Sequence, residues 1–558
     1  MHLETLAFAN PIYRLTLGGP VPQVLAVVPS DPWPGDAGAG QAILEGAFRF
    51  AGQSFCADPA DWLPVEAQTP WVSYVHGFDW LRDLRAVGGD EARRRARHLV
   101  SSWLDSNTLW NRVAWTPSLV GARLANWVVL HDFFCASADD AFRHRVFDSL
   151  SRQTRHLARI MRTAPRGPGR FAAIHGLLLG ALNLTDSEAM VSQALAGLHT
   201  ALAEEILPDG GHISRCPLIQ AQLLERLVEI RVTMRTAKLP VPADLQNALD
   251  WMAPALRLMR HGDGGLALFN GGIQDSPERI EAILAQAEPR PRALKSLRES
   301  GFERLSAGRS VVLLDVGLPP PAGFDGRAHA GPLSFEVSVG RERIITNCGA
   351  MLHDDPDWRM ALAATAAHST LTVAETNAAE VLPQGGIGRR PARISCQRSE
   401  QNGTHEVEAS HDGYLTSFGL RHHRSLSLSS DGEELRGEDM LEGTGGHSFA
   451  LRFHLQPGVQ ASLIQEGVAV LLRLTNGHGW RLTMGEGGLL ALEESINLAD
   501  GISLRRAQQV VAGGVTQDGS TRLCWTLARE RRAGGRDSTK TAAAPLPAQR
   551  DLVEDAGS

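Results

Sequence analysis

The 558-residue chain has no CxxC pair: Cys56, Cys135, Cys216, Cys348, Cys396 and Cys524 stand far apart. That spacing excludes a zinc ribbon or finger and reads as reduced, mostly buried thiols in a reducing compartment. No run of about 18 apolar residues occurs, so no membrane-spanning helix is expected. The opening MHLETLAFANPIYRLTLGGP has no basic stretch leading into a long apolar core. It does not read as a secretory leader, and the expected location is the cytoplasm. Excess positive charge is missing too. A formal net charge of −7 argues against a general nucleic-acid binder and gives no overall attraction for an acidic polymer, which local arginines would have to hold. Tyrosine is scarce, with only Tyr13, Tyr74 and Tyr414, so few phenols are available for proton transfer.

What is present is a soluble globular composition, 43% hydrophobic and 21% charged, long enough for two large domains. Residues 1–70 read as an irregular leading segment packed on the helical domain, with a short strand or hairpin near Ala42 to Phe55. Residues 71–305 are mostly helical. Apolar stripes run through 88–104, 119–135, 141–163, 171–184, 187–206, 217–237 and 243–260, spaced for helices joined by short loops in a toroid or solenoid-like layer. Near Pro289 to Ala307 the pattern changes, and from 306 to 530 the period is two. Runs such as Ser310–Val316, Arg421–Leu428, Ser448–Leu455 and Trp480–Met484 are separated by turn signals, including Asp431-Gly432 and Asn476-Gly477. They predict stacked antiparallel sheets. The tail 531–558 is polar and expected to be disordered.

The most informative stretch is 329–373. Leu333, Phe335, Val337 and Val339 alternate with Ser334, Glu336 and Ser338, predicting a half-buried strand. Arg343 to Asn347 returns as a second strand and Ser369 to Val373 as a third. An antiparallel meander of the three gathers His329, Asn347 and His368 at one sheet end. Such a group can bind a cation or a substrate group, or the imidazoles can simply brace the strand ends.

This segment resembles the heparinase II/III family of polysaccharide lyases, through His329 before Leu-Ser-Phe, Asn347, Trp358-Arg359 and Ala367-His368-Ser369-Thr370. The resemblance implies an α/α toroid of helical hairpins followed by an antiparallel β-sheet domain, with the cleft between them. It also implies β-elimination on a uronate-containing acidic glycan. Where family members hold a divalent ion, usually zinc, the matching positions are His329, Asn347 and His368. Asn347 replaces a carboxylate there, and a neutral amide is a poorer zinc ligand. No cofactor beyond such a metal is implied.

Three further places carry the resemblance. Leu207-Pro-Asp209-Gly-Gly-His212 displays His212 after a tight turn at a helix start. Against the family pattern, Ser214, Cys216, Ile219 and Gln220 stand for Glu, Ser, Tyr and His, so the usual phenol is replaced by Ile219. Phe171 to His175 matches an Asn-His pair, with Ile174 in place of the Asn. His261-Gly-Asp263-Gly-Gly through Asn270 reads as a glycine-rich hairpin on the lip of the helical domain, or as a capping loop. It is no phosphate loop, because no Gly-Lys-Ser/Thr comes after it.

Elimination at a uronate needs its carboxylate neutralised, a base for the C5 proton and an acid for the leaving oxygen. His212, His175 and Tyr74 are the candidates for proton transfer, and each has an ordinary packing role as its alternative. Asp209, Asp263, Asn270, Arg359 and Arg424 are candidates for holding substrate. Of His422 and His423, adjacent on a strand, one should point inward and its neighbour away. The early Trp residues are read as core. The partner expected is an acidic polysaccharide or oligosaccharide, with neither nucleic acid nor membrane, and a homodimer stays open. The rival reading is a non-catalytic carbohydrate-binding or scaffold protein that has kept the fold and lost its chemistry.

Overall fold

The computed structural model describes residues 8–57, 62–287, 293–485 and 488–530. The expectation for the tail from 531 lies outside the described residues. The helical half runs Thr69–Gly77, Trp80–Val87, Gly89–Ser106, Pro117–Val129, Asp140–Ile160, Pro168–Ala181, Glu188–Glu205, Pro217–Thr236, Ala243–Leu258 and Pro277–Ala287. Proline opens several of these helices, including Pro117, Pro168 and Pro217. At that position its missing N–H costs nothing and its fixed φ favours the helix. The Pro117–Val129 and Pro168–Ala181 helices touch backbone to backbone: a Cβ on Gly176 would fall 2.3 Å from Gly121 O. Trp71, Trp80, Trp103, Trp115 and Trp127 are buried core, as their spacing predicts. Ahead of the helices, the leading segment folds into short helices and the hairpin Ala47–Phe50/Gln53–Cys56.

The second half is two antiparallel sheets stacked on one core. One has the order Gln460–Ile464, Ala469–Arg473, Gly479–Met484, Gly519–Arg529, Glu434–Gly443, Leu420–Leu428, Thr404–His411, Ile394–Gln401. The other has the order Leu490–Asn497, Arg505–Val515, Ser448–Leu455, Glu342–Thr346, Phe335–Val339, Ser310–Asp315, Phe302–Ala307, Ser296–Leu297. Phe335, Phe453 and Trp525 meet between them, with Phe335 stacked on Trp525 at 5.5 Å.

Three features differ from the sequence reading. The sheet domain starts at Ser296, ahead of the expected boundary at 306, because Ser296–Leu297 and Phe302–Ala307 already pair into it. The strand Phe335–Val339 is buried on both faces: Ser334, Glu336 and Ser338 are as sealed as their apolar neighbours, since the loop after the Ala243–Leu258 helix bonds to that polar face. No three-strand meander forms. Leu371–Val373 pairs with Ser448–Leu455 rather than with Glu342–Thr346. All six cysteines are free, three buried and three exposed. Among the described residues no helix is long and apolar enough to cross a membrane.

Candidate functional site

The sheet end does bring two of its three residues together. His329 Nδ1 lies 3.1 Å from His368 Nε2, and His368 Nδ1 lies 2.8 Å from Ala364 O. A carbonyl only accepts, so His368 carries its proton on Nδ1 and receives the His329 Nδ1–H on Nε2. Burial pushes both imidazoles below their ordinary range, His329 further because His368 and Arg327 stand beside it.

Asn347 is committed elsewhere. Its Nδ2 donates to Glu336 Oε1 at 3.1 Å, and its Oδ1 accepts from Ser369 N at 3.0 Å. A zinc site needs about three protein ligands with free lone pairs. Here one imidazole lone pair is spent on the other ring and the amide is spent on the backbone and Glu336. Among the described residues no group of three His, Cys, Asp or Glu side chains is placed to hold an ion. The residues present do not fit a metal.

The Asp209 to Arg215 turn fastens the two domains. Asp209 accepts from Ser300 N and Ser300 Oγ, each at 2.7 Å. Arg215, held at φ 57°, donates to Ser300 O at 2.6 Å and Leu318 O at 2.9 Å, and pairs with Asp315. His212 points into the helical side of this joint. Ser214 N donates to its Nδ1 at 3.1 Å, so the proton sits on Nε2, which faces Glu205 Oε2 at 3.2 Å. Ser214 Oγ is 2.7 Å from the same Nδ1. Serine, imidazole and carboxylate thus stand in the order of an acyl-transfer relay. All three are sealed, and Glu205 is also held by Gly167 N at 2.8 Å and by Arg170 at 3.2 Å.

The His261 to Asn270 hairpin is a second fastening. His261 Nε2 lies 2.8 Å from Glu336 Oε2 and its Nδ1 2.9 Å from Ser338 Oγ. Asp263 receives Arg343 Nε at 2.8 Å, and this guanidinium keeps its carboxyl low against the cost of burial. Asn270 Nδ2 donates to Asp315 Oδ2 at 3.1 Å, while its Oδ1 accepts from His329 N at 3.4 Å. Arg215, Asp315, Asn270 and His329 therefore form one chain of contacts across the interface, linking the His212 turn to the histidine pair.

His175 does not join it. Its ring meets Thr233 Oγ1 at 3.0 Å and Glu229 at 3.4 Å, both inside the helical domain, and burial lowers its pKa. Tyr74 is also internal: its hydroxyl donates to Asp83 Oδ2 at 2.6 Å. Burial and the Asp83 charge raise the phenol far above its ordinary value, so it stays protonated. Arg424 is buried, donating to Asp439 Oδ1 at 2.8 Å and Leu333 O at 2.6 Å. Arg359, partly exposed, holds Asp354 at 2.8 Å and Pro383 O at 2.7 Å. As expected, His422 faces inward, 2.8 Å from Asp439, and His423 faces out.

The sequence reading missed Glu336, the hub of the interface, and the neighbourhood of Ile219. Glu336 alternates with apolar residues and looked like a solvent-facing position. Ile219 packs with Cys216, Leu218, Ile273, Ala350 and Leu352 in an apolar cluster shared by both domains.

Residues 289–526 match the heparinase II/III-like, C-terminal family. FtsZ-localized protein C of Caulobacter vibrioides is 32% identical over 552 residues, 95% of this chain and 94% of that protein. The fold is similar to that of crystalline heparinase III, with TM-score 0.72 at 14% identity over 90% of this chain and 86% of that one. It is also similar to heparan sulfate lyase from Pedobacter heparinus (in mutant form), with TM-score 0.64 at 16% identity over 93% and 87%. Helical toroid, stacked sheets and the full-length relative agree, and the chain belongs to the heparinase II/III-like family.

Proposed function

We propose that this chain is a binding and scaffolding member of its family, working with FtsZ assemblies in a reducing compartment rather than cleaving glycan. The observation that carries this reading is Ile219. It stands where the resemblance places the proton-transferring phenol, and its neighbours are apolar. Elimination requires a base and an acid free to reach the substrate. His212 and Tyr74 are buried on internal carboxylates, and His175 beside Glu229. The 32% identity to an FtsZ-localized protein runs through both domains, which supports a shared role for the whole body. The six free cysteines fit the compartment.

The second reading is β-elimination on a uronate-containing acidic glycan, supported by the lyase-like fold and by the histidine pair at the matching positions. One experiment separates the two. The protein is incubated with a panel of uronate polymers while absorbance of unsaturated uronate is followed, and in parallel it is sedimented with polymerised FtsZ. The scaffold reading expects co-sedimentation and no product. Product formation that His212→Ala abolishes would overturn it. Polymer retained without turnover would keep the reading and identify a glycan ligand.

A further inference from the structure

We infer that the hairpin Ala47–Cys56 is a strap laid from the helical domain onto the sheet domain, rooted firmly at its base and held loosely at its tip. This goes beyond the scaffold reading and does not depend on it.

The root is a packed aromatic cluster. Phe48 is sealed among Trp62, Trp71, Tyr74 and Trp80, with ring centroids 5.6 to 6.5 Å away. The return strand is tied down as well: Gln53 Nε2 donates to Glu66 O at 2.9 Å, and Gln68 N to Gln53 Oε1 at 2.8 Å. Phe50 lies flat on Tyr74, centroids 4.4 Å apart, yet stays 42% exposed.

The tip is different. Ala51 and Gly52 turn at φ 49° and 77°, and the glycine backbone abuts the other domain. A Cβ added at Gly52 would lie 2.5 Å from Ile502 Cγ2 and 3.7 Å from His353 Nε2. Ile502 is presented by a braced loop, since Asp500 Oδ1 accepts from Ile502 N at 2.9 Å and Ser503 N at 2.7 Å. That loop is in turn bonded to the next, Leu352 N to Gly501 O at 2.9 Å. Among the described residues, no hydrogen bond or ion pair joins residues 50–53 to 349–356 or 498–504. Ile502 itself is 37% exposed.

The two sides of the interface are therefore unequal. One is fastened by the buried pairs of Arg215, His261 and Asp263, with directional bonds that resist separation. On the other, the loop around Ile502 is bonded to the helical half through Gln274 N and Ala499 O at 2.5 Å, but the hairpin tip itself meets that loop only by dispersion contact between a glycine and a methyl group. A stiff arm ending in such a contact can lift while its root stays in place. The segment it covers leads to Leu352 and so to Ile219.

Hydrogen exchange on the full chain tests this, in wild type and in Ile502→Asp, which keeps the braced loop and removes the apolar seat. The expected result is about a ten-fold rise in exchange at Ala51, Gly52 and His353 in the variant, with the amides near Gln53, Arg215 and Phe48 unchanged. Gly52→Ala, whose methyl has no room against Ile502, should raise the same amides. Equal exchange in all three proteins would overturn the strap, and so would a rise that spreads to the root.

Discussion

His329 Nδ1–H donates a hydrogen bond to His368 Nε2 across 3.1 Å, because His368 Nδ1 is already engaged with Ala364 O. The pair is a self-contained bond between two neutral rings. Zinc added to the protein and then removed by desalting should not stay bound at this pair. His368→Ala should leave the retained metal unchanged, as read by elemental analysis. A stoichiometric ion lost on that substitution would show that the rings part to admit it.

Asn347→Asp restores the family's carboxylate and should nevertheless weaken the protein. Asn347 Nδ2 donates to Glu336 Oε1 at 3.1 Å, and the substitution would set two buried carboxylates against each other. The expected loss is about 3 kcal/mol at neutral pH, measured as a lower urea midpoint. An unchanged midpoint would mean that one of the two acids protonates at no cost.

Arg215→Ala removes the guanidinium that serves Ser300 O, Leu318 O and Asp315 at once. It leaves Asp315 buried with Asn270 as its side-chain partner. The expected cost is about 3–5 kcal/mol. Because the bonds lie between domains, the thermal transition should broaden or split into two. Calorimetry decides this: a single sharp transition at the wild-type midpoint would contradict it.

Acid should destabilise the protein well before its carboxylates titrate. Burial pushes His261, His329, His368, His411, His422 and His454 below the ordinary 6.5, and His454 to about 3. The folded chain keeps these rings neutral while the unfolded chain binds protons near 6.5. Their stabilisation is therefore full above that pH and is lost as the pH falls. For His454 alone the loss from pH 7 to pH 5 is about 2 kcal/mol. Urea midpoints at several pH values check the slope, and a flat profile over this range would show that the rings take up protons alike in the folded and unfolded chains.

Much of the architecture was legible because it derives from period and punctuation. The Pro217–Thr236 helix and the Leu420–Leu428 strand lie where their apolar spacing puts them. Arg505–Val515 was missed because its sequence RRAQQVVAGGV carries charge and glycine where alternation is sought, although it pairs on both sides. At the candidate site, adjacency in space was legible in part. His329 and His368 do meet. Asp209, Asp263 and Asn270, expected as ligand contacts, bond to the other domain. A turn rich in Asp, Gly and His has the same composition whether it faces a sugar or a neighbouring strand. Only the partner, supplied from 90 or more residues away for Asp209, distinguishes the two.

Glu336 decides whether the chain can be divided. Its carboxylate takes Leu268 N at 3.1 Å, Asn347 N at 3.0 Å and the Asn347 amide, and faces His261. Leu268 and His261 belong to the helical half, so a sheet domain cut at residue 289 would lose two of that carboxylate's partners and open the polar face of the strand to water. The boundary where the family match begins thus runs through this network. The strand's polar face is completed by the hairpin from the preceding half, so two recognisable parts share one buried hydrogen-bond network.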